Sequence, residues 1–219
     1  MIFVVQNSIA LPASADAPVD CSGSKLFLRV KRACDIGLAV VALLPFSVLI
    51  LAVWLINFRF NPGSLFFLQQ RMGRDCKPFT IVKFRTMLPI ETVQRGFEDP
   101  VETDRITPFG ALMRRTRIDE LPQILNILLG HMSFVGPRPD SYEHAVKFAD
   151  LVPGYRDRHQ VRPGITGLAQ VNVGYAVGLD ATTQKVAADL VYIRDMSALL
   201  DMRIIFGTAW VMVSGWGSR

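Results

Sequence analysis

The hydrophobic positions of this chain are unevenly placed, and the densest run comes early. From Ile36 to Ile56 it reads IGLAVVALLPFSVLILAVWLI, twenty-one residues without a charge. A membrane span needs about 20 such residues, so the run predicts a membrane element. Pro45 sits near its middle, where it removes a backbone donor and crowds the preceding turn. Basic residues flank both ends, Lys25, Arg29, Lys31 and Arg32 before it and Arg59, Arg71, Arg74 and Lys77 after it. The positive-inside tendency would keep both ends on the cytoplasmic face. Two topologies remain open on these residues: a helix that breaks at Pro45 and returns to the same face, and a kinked full span. In the first, the carbonyl freed near Val41 needs a partner such as the Ser47 hydroxyl.

Beyond the apolar run the periodicity changes. SLFFLQQ and PFTIVKFRTM flank the turn-rich RMGRDCK and predict a β-hairpin. Alternation would put Thr80, Val82 and Phe84 on one face and Ile81, Lys83 and Arg85 on the other. Residues 89–108 are polar, have no sustained period and read as a loop. Ile118, Leu121, Ile124, Leu125 and Leu128 then recur at helical spacing. Pro122 suits a first helical turn, which places Asp119 and Glu120 at or just before a helix N-terminus. SYEHAVKFADLV and LDATTQKVAADLVYIRDM predict two more helices. The stretch from Leu199 to Val213 is too short to span and is interrupted by Asp201 and Arg203, which suits a helix lying along an interface. Residues 1–24, rich in Ala, Pro, Ser and Asp, read as a flexible tail. They lack the basic start of a signal peptide.

Composition sharpens this picture in two respects. Half of the 219 residues are hydrophobic and mean hydropathy is +0.30, high for a soluble chain. The net charge of +5 points to an anionic partner surface such as lipid headgroups or nucleotide phosphates. Three unpaired-looking cysteines argue against a disulfide framework and against a cysteine-rich zinc site. A nucleic-acid partner is not expected, because the chain carries a membrane run and no recognisable nucleic-acid module.

Candidate chemistry gathers in three clusters. Acids at a helix start ordinarily complement the dipole, but Asp119 and Glu120 follow Arg114, Arg115 and Arg117 within five residues. Carboxylates take a hard divalent cation and arginines fork onto phosphate oxygens, so the mixture suits a metal and a diphosphate bound together. In GPRPD, Arg138 is held between two prolines and is thereby pre-positioned. In RDRHQVRPGITGLAQVN, Arg156, Arg158 and Arg162 surround His159, which is given no role. Gly164 and Gly167 in the same run allow close backbone approach to a ligand.

These pieces together resemble the bacterial sugar transferase family, the monotopic polyprenyl-phosphate phosphoglycosyl transferases that initiate exopolysaccharide and related glycans. The matching runs are KRACD at 31–35, QQRMGRDCKPFTIVKFRTM at 69–87, and RITPFGALMRRTRIDELPQILNILLGHMSFVGPRPD at 105–140. RHQVRPGITGLAQVN at 158–172 and DLVYIRDMSALLDMRII at 189–205 complete the set.

The resemblance implies an α+β fold: a re-entrant membrane helix-break-helix over 25–60, then a mainly helical cytosolic catalytic domain over 61–219. That domain would carry a small β-hairpin and interfacial amphipathic helices, and Pro45 matches the membrane break. The resemblance implies that Asp119 is the nucleophile toward a UDP-sugar and that Glu120 is its partner carboxylate, both beside Mg2+. Arg114, Arg138, Arg158, Arg162, Lys83 and Arg85 form the expected substrate-binding set. UMP leaves, and polyprenyl (undecaprenyl) phosphate takes the sugar phosphate, with galactose or glucose the favoured sugar. The implied setting is the cytoplasmic face of the bacterial inner membrane, with its lipids and a second copy in a homodimer as further partners. The rival reading is a non-catalytic membrane scaffold of a polysaccharide machine. Three departures from the family pattern stand out: His131 where Asp is usual, Arg117 where Ser or Thr is common, and VNVGYAVG in place of the more usual VNGRN.

Overall fold

The computed structural model describes residues 25–61, 63–88, 102–173 and 178–214. The tail over 1–24, most of the expected loop (89–101) and the centre of VNVGYAVG (174–177) lie outside the described residues.

The apolar run belongs to one helix, α1, Lys25–Phe60, which also takes in the basic residues before it. Helix continues on both sides of Pro45, so the expected helix-break-helix appears as one helix with a proline inside. The Ser47 hydroxyl does not serve the carbonyl near Val41; it donates to the Leu44 carbonyl at 2.7 Å, one turn back along its own side of the helix. By length and composition α1 is able to cross a membrane, and only 17% of its most apolar window is buried. An ordinary core helix would bury most of that window. Its inward stripe is Asp35, Ala39, Phe46, Val53 and Asn57, spaced by four or seven as one helical face requires. Val41, Leu44, Val48, Trp54 and Phe58 face outward and are exposed.

The stripe packs on the hairpin. β1, Phe66–Met72, and β2, Pro78–Phe84, are antiparallel and pair from Phe66↔Phe84 to Met72↔Pro78. The expected facing is altered at one end. Phe79 and Ile81 are buried and Thr80 is exposed, yet Phe84 is also buried. α1 covers the second face there: the Phe84 ring lies 6.3 Å from Phe46 and stacks 5.6 Å from Phe66.

A helix missed by the periodicity follows. In α2, Pro108–Arg115, the Thr107 side chain accepts a hydrogen bond from the Gly110 N–H and Pro108 occupies the first turn, a capped start with proline where it fits best. Gly110 is required, since a Cβ there would meet the Thr86 carbonyl oxygen at 2.1 Å. After a left-handed Arg117 (φ 58) and a 3-10 turn over Ile118–Glu120 comes α3, Gln123–Leu128.

The remaining elements are β3 (Ser133–Val135), α4 (Tyr142–Leu151), β4 (Gly164–Thr166), α5 (Leu168–Asn172), α6 (Leu179–Arg194) and α7 (Ala198–Ser214). β3 and β4 are parallel, a pairing too short to leave a sequence period. One core cluster joins α1, the hairpin, α2 and α3, and the other joins α4, α6 and α7. Asp201, which seemed to interrupt the last apolar run, ties three helices together: it accepts from Lys31 at 2.6 Å and from the Tyr192 hydroxyl at 2.8 Å. α7 still leaves Leu199, Phe206 and Trp210 exposed. Cys34 and Cys76 are free thiols.

Candidate active site

The C-terminal end of α2, the 3-10 turn and β2 converge on Asp119 and Glu120, and both carboxylates are buried. The turn over 118–120 exists because Arg117 adopts the left-handed conformation, which reverses the chain between α2 and α3. For a residue with a side chain this costs about 1–2 kcal/mol.

The two acids have opposite surroundings. Lys83 Nζ donates to Glu120 Oε1 at 2.8 Å. Arg138 grips both Glu120 oxygens, with Nη2 on Oε1 and Nη1 on Oε2 at 3.3 Å. Arg117 Nη1 adds an ion pair at 3.6 Å. Burial alone would raise the Glu120 pKa, but Arg138 and Lys83 outweigh it and hold the carboxyl well below the usual range. Glu120 is therefore a fixed anion, spent on its cations.

Asp119 is the reverse. Its Oδ1 is buried and has no hydrogen-bond partner. Burial pushes its pKa up and the neighbouring Glu120 adds to the rise, while Lys83, Arg114 and Arg138 pull in the other direction. A buried acceptor without a donor is costly and uncommon in a finished structure. Here it leaves a basic oxygen among three cations.

Those cations are positioned by local bonds. Arg114 donates from Nε to Thr86 Oγ1 at 3.0 Å. The carbonyl of Arg138 accepts from Arg158 Nη2 at 2.8 Å. Lys83 is lowered to about 8 by burial and by Arg138, against the pull of Glu120.

Of the expected site residues, Asp119, Glu120, Lys83, Arg114 and Arg138 are brought together. Three are not. Arg85 is buried and donates to the Ser64 and Asn61 carbonyls at 2.7 Å each, tying the end of α1 to the end of β2. Arg158 lies behind Arg138, its guanidinium between Asp140 at 2.6 Å and Asp189 at 2.7 Å. Arg162 donates to the Gly130 carbonyl at 2.9 Å and lines a different cavity. Gly164 and Gly167 do permit a close approach, but to the Gly136 backbone, which a Cβ would meet at 2.2 and 2.3 Å. His131 packs on the Phe79 ring at 5.8 Å.

Two residues not singled out as site residues by sequence line the cleft beside Lys83 and Arg138: Arg71 and Gln123. Arg71 donates to the Pro139 carbonyl at 3.2 Å, and burial with Arg138 nearby lowers it to about 10. Gln123 is 1% exposed and its Nε2 lacks a partner. A glutamine at the predicted helix start, three residues after the acid pair, is the only sign of it in the sequence.

Among the described residues no three His, Cys, Asp or Glu side chains cluster as a ready metal cage. Mg2+ commonly binds through one or two carboxylates plus substrate phosphates. The unpartnered Asp119 Oδ1 fits that mode, with Glu120 adjacent.

Comparison with known proteins adds an independent line. A family model described as bacterial sugar transferase matches residues 26–215. The exopolysaccharide production protein PSS of Rhizobium leguminosarum bv. phaseoli is 43% identical over 192 residues, covering 83% of this chain and 94% of that one. A UDP-N-acetylgalactosamine-undecaprenyl-phosphate N-acetylgalactosaminephosphotransferase of Aeromonas hydrophila is 41% identical over 90% of this chain and 46% of its own length. A UDP-glucose:undecaprenyl-phosphate glucose-1-phosphate transferase of Escherichia coli (strain K12) is 40% identical over 93% and 44% respectively. The chain thus spans about half the length of these last two relatives.

Proposed function

This chain belongs to the bacterial sugar transferase family, and on that premise we propose that it transfers a sugar 1-phosphate from a UDP-sugar to polyprenyl phosphate. The observation that carries the reading is the contrast between a fully paired Glu120 and a buried, unpartnered Asp119 oxygen among Lys83, Arg114 and Arg138.

Asp119 acts as nucleophile. A carboxylate is a weak nucleophile at its ordinary pKa, and a raised pKa makes its anion more basic and more reactive. Its oxygen forms a bond to the sugar-proximal phosphorus, and the bond from that phosphorus to the bridging oxygen breaks. UMP leaves with the electron pair. A polyprenyl phosphate oxygen then attacks the same phosphorus and releases the Asp119 carboxylate, giving a polyprenyl-diphospho-sugar and the free enzyme. Arg114 and Arg138 face charge that builds on the phosphoryl oxygens, which is where fixed cations contribute most. Glu120 keeps Lys83 and Arg138 in place. Asp119 Oδ1 would hold Mg2+ together with the diphosphate, while Glu120, expected from the sequence as a second ligand, is taken up by Lys83 and Arg138; when bound, the ion would neutralise diphosphate charge.

The lipid acceptor requires the site to sit at a membrane. The exposed apolar faces of α1 and α7 supply the contact, and the basic start of α1 suits the anionic cytoplasmic leaflet. Basic residues flank the apolar run at both ends, and a tendency to keep both ends on the cytoplasmic face supports a re-entrant arrangement of this helix. Two of these relatives are named for UDP-glucose and UDP-N-acetylgalactosamine, which supports a UDP-hexose or UDP-N-acetylhexosamine donor, with glucose or galactose first.

The test is UMP release from a panel of UDP-sugars by the full chain in nanodiscs with polyprenyl phosphate, with and without Mg2+. Release from one or two UDP-hexoses, dependent on Mg2+, is expected. No release from any donor would overturn the reading and leave a scaffold.

A further inference from the structure

A second cavity, of about 80 Å³ and open to the surface, is lined by Leu28, Arg32, Arg74, Ser133, Arg162 and Met196. It shares no lining residue with the cleft beside Lys83 and Arg138. Three guanidinium groups share the space. Burial and the nearness of Arg32 and Arg74 pull the Arg162 pKa down, as expected when like charges are held together.

The local acids only partly answer that charge. Lys31, also on the wall, is paired with Asp201 at 2.6 Å, and Arg74 with the exposed Asp75 at 3.2 Å. Asp35 also lines the cavity and, although its Oδ1 accepts from the Phe134 N–H at 3.2 Å, keeps its charge, one carboxylate against Arg32, Arg74 and Arg162. Arg32 and Arg162 donate to backbone carbonyls, at Leu128 and Gly130, which satisfy hydrogens without neutralising charge. A further polar group is unsatisfied: Ser133 is 2% exposed, and its Oγ has no partner.

The walls are mixed. Leu28, Val135, Val161 and Met196 are apolar. Leu28 is also surface-exposed, and Leu199, three residues beyond Met196, is 62% exposed at the start of α7. The cavity therefore joins a cationic, hydroxyl-bearing pocket to the apolar faces of α1 and α7. A ligand that fits has a phosphate at one end and hydrocarbon at the other.

We propose that this cavity binds the phosphate of an anionic membrane lipid, whose chains leave along Leu28 and Leu199. Arg32, Arg74 and Arg162 face the phosphate oxygens and Ser133 Oγ donates to one of them. The lipid fastens the start of α1 to β3 and the end of α6. This site needs contact with a bilayer but not transferase chemistry, so loss of one reading does not carry the other with it.

The test is native mass spectrometry of the full chain released from detergent micelles with phosphatidylglycerol, diacylglycerol or inorganic phosphate as probe. One phosphatidylglycerol should be retained in preference to diacylglycerol and survive millimolar inorganic phosphate. Retention should fall by about tenfold in Arg162→Gln, the loss of one charge-assisted bond, and by less in Ser133→Ala. Arg162→Gln also removes the bond to Gly130, so Arg74→Gln, altered at the protein surface, provides a second charge deletion that leaves the fold alone. Equal retention of phosphatidylglycerol by wild type and Arg74→Gln would overturn the proposal. So would equal retention of diacylglycerol, or displacement by inorganic phosphate, which would mark a site for free anions. UMP release measured on the same preparations reports separately on the transferase reading.

Discussion

Two ionic clusters meet at Arg138, and they are built from the same residue types in opposite order. In the rear cluster a cation is central: Arg158, 3% exposed, lies between Asp140 and the 1% exposed Asp189, with Tyr155 donating to Asp140 at 2.8 Å. In the front cluster a carboxylate is central, Glu120, held by Lys83, Arg138 and Arg117. The rear cluster is tied together through Arg158, although Asp189 Oδ1 and Arg158 Nε are buried without hydrogen-bond partners. The front one leaves over Asp119, whose Oδ1 has no donor. Arg138 links the two, giving its side chain forward to Glu120 and its carbonyl back to Arg158.

The strongest break of this contrast is Asp119→Asn. Loss of the nucleophile should lower UMP release by about 10³-fold or more, with the fold kept. The stability sign follows from the raised Asp119 pKa. A carboxyl raised on folding contributes stability below its unfolded pKa and loses it as pH rises through the folded value. At neutral pH the charged form is thus a burden, and the Asn variant should melt no lower than wild type in a thermal shift assay. A clearly lower melting temperature would show that Asp119 is fastening as well.

The converse substitution is Arg158→Met. Removing a buried cation leaves Asp189 without its ion pair and Asp140 with the Tyr155 hydroxyl in place of a charge, which should cost about 3–5 kcal/mol. Thermal or denaturant melting of the purified variant measures it. Activity should fall because the Arg138 carbonyl loses its donor, even though Arg158 does not reach Asp119. A variant as stable as wild type but inactive would instead put Arg158 in contact with substrate.

How much of this could be read from the chain depends on the distance over which each feature is set. Asp119 and Glu120 before a Pro122-led helix are local, and they fall in a 3-10 turn directly ahead of α3. The hairpin, α4, α6 and α7 also carry their own periods. α2 does not: eight residues are too few for a clear period, and the Thr107–Pro108 cap was the available sign. The sorting of arginines was not legible at all. Arg138 stands alone between two prolines and Arg158 in a basic run, but neither setting says which one reaches the site; only partners far along the chain, Glu120 for one and Asp189 for the other, divide them. The re-facing of Phe84 has the same origin, because α1 crosses from a distant segment.

The pH profile of transfer tests the front cluster with no substitution. On the acid side activity should fall as Asp119 protonates, with an apparent pKa above the ordinary aspartate value of 3.8. On the basic side it should fall again near 8, as Lys83 loses its proton and Glu120 loses one of its cations. Each limb should change the rate by about tenfold per pH unit beyond its pKa. Lys83→Arg stays charged and should move or remove the basic limb while leaving the acid limb. A basic limb unchanged by Lys83→Arg would assign that titration to another group.

The smallest expected effect belongs to Arg156, which shares the run that holds Arg158. Its Nη2 pairs with Asp150 at 3.0 Å, and both side chains are largely exposed, 66% and 71%. Exposed pairs contribute about 0–1 kcal/mol and are screened by salt. Arg156→Ala should therefore shift melting by under about 0.5 kcal/mol and leave UMP release unchanged. Side by side with Arg158→Met, it asks whether position in the basic run or the number of buried partners decides an arginine's importance. A loss of transfer in Arg156→Ala would mean that the run acts as one phosphate-binding surface and that the division between front and rear clusters is too sharp.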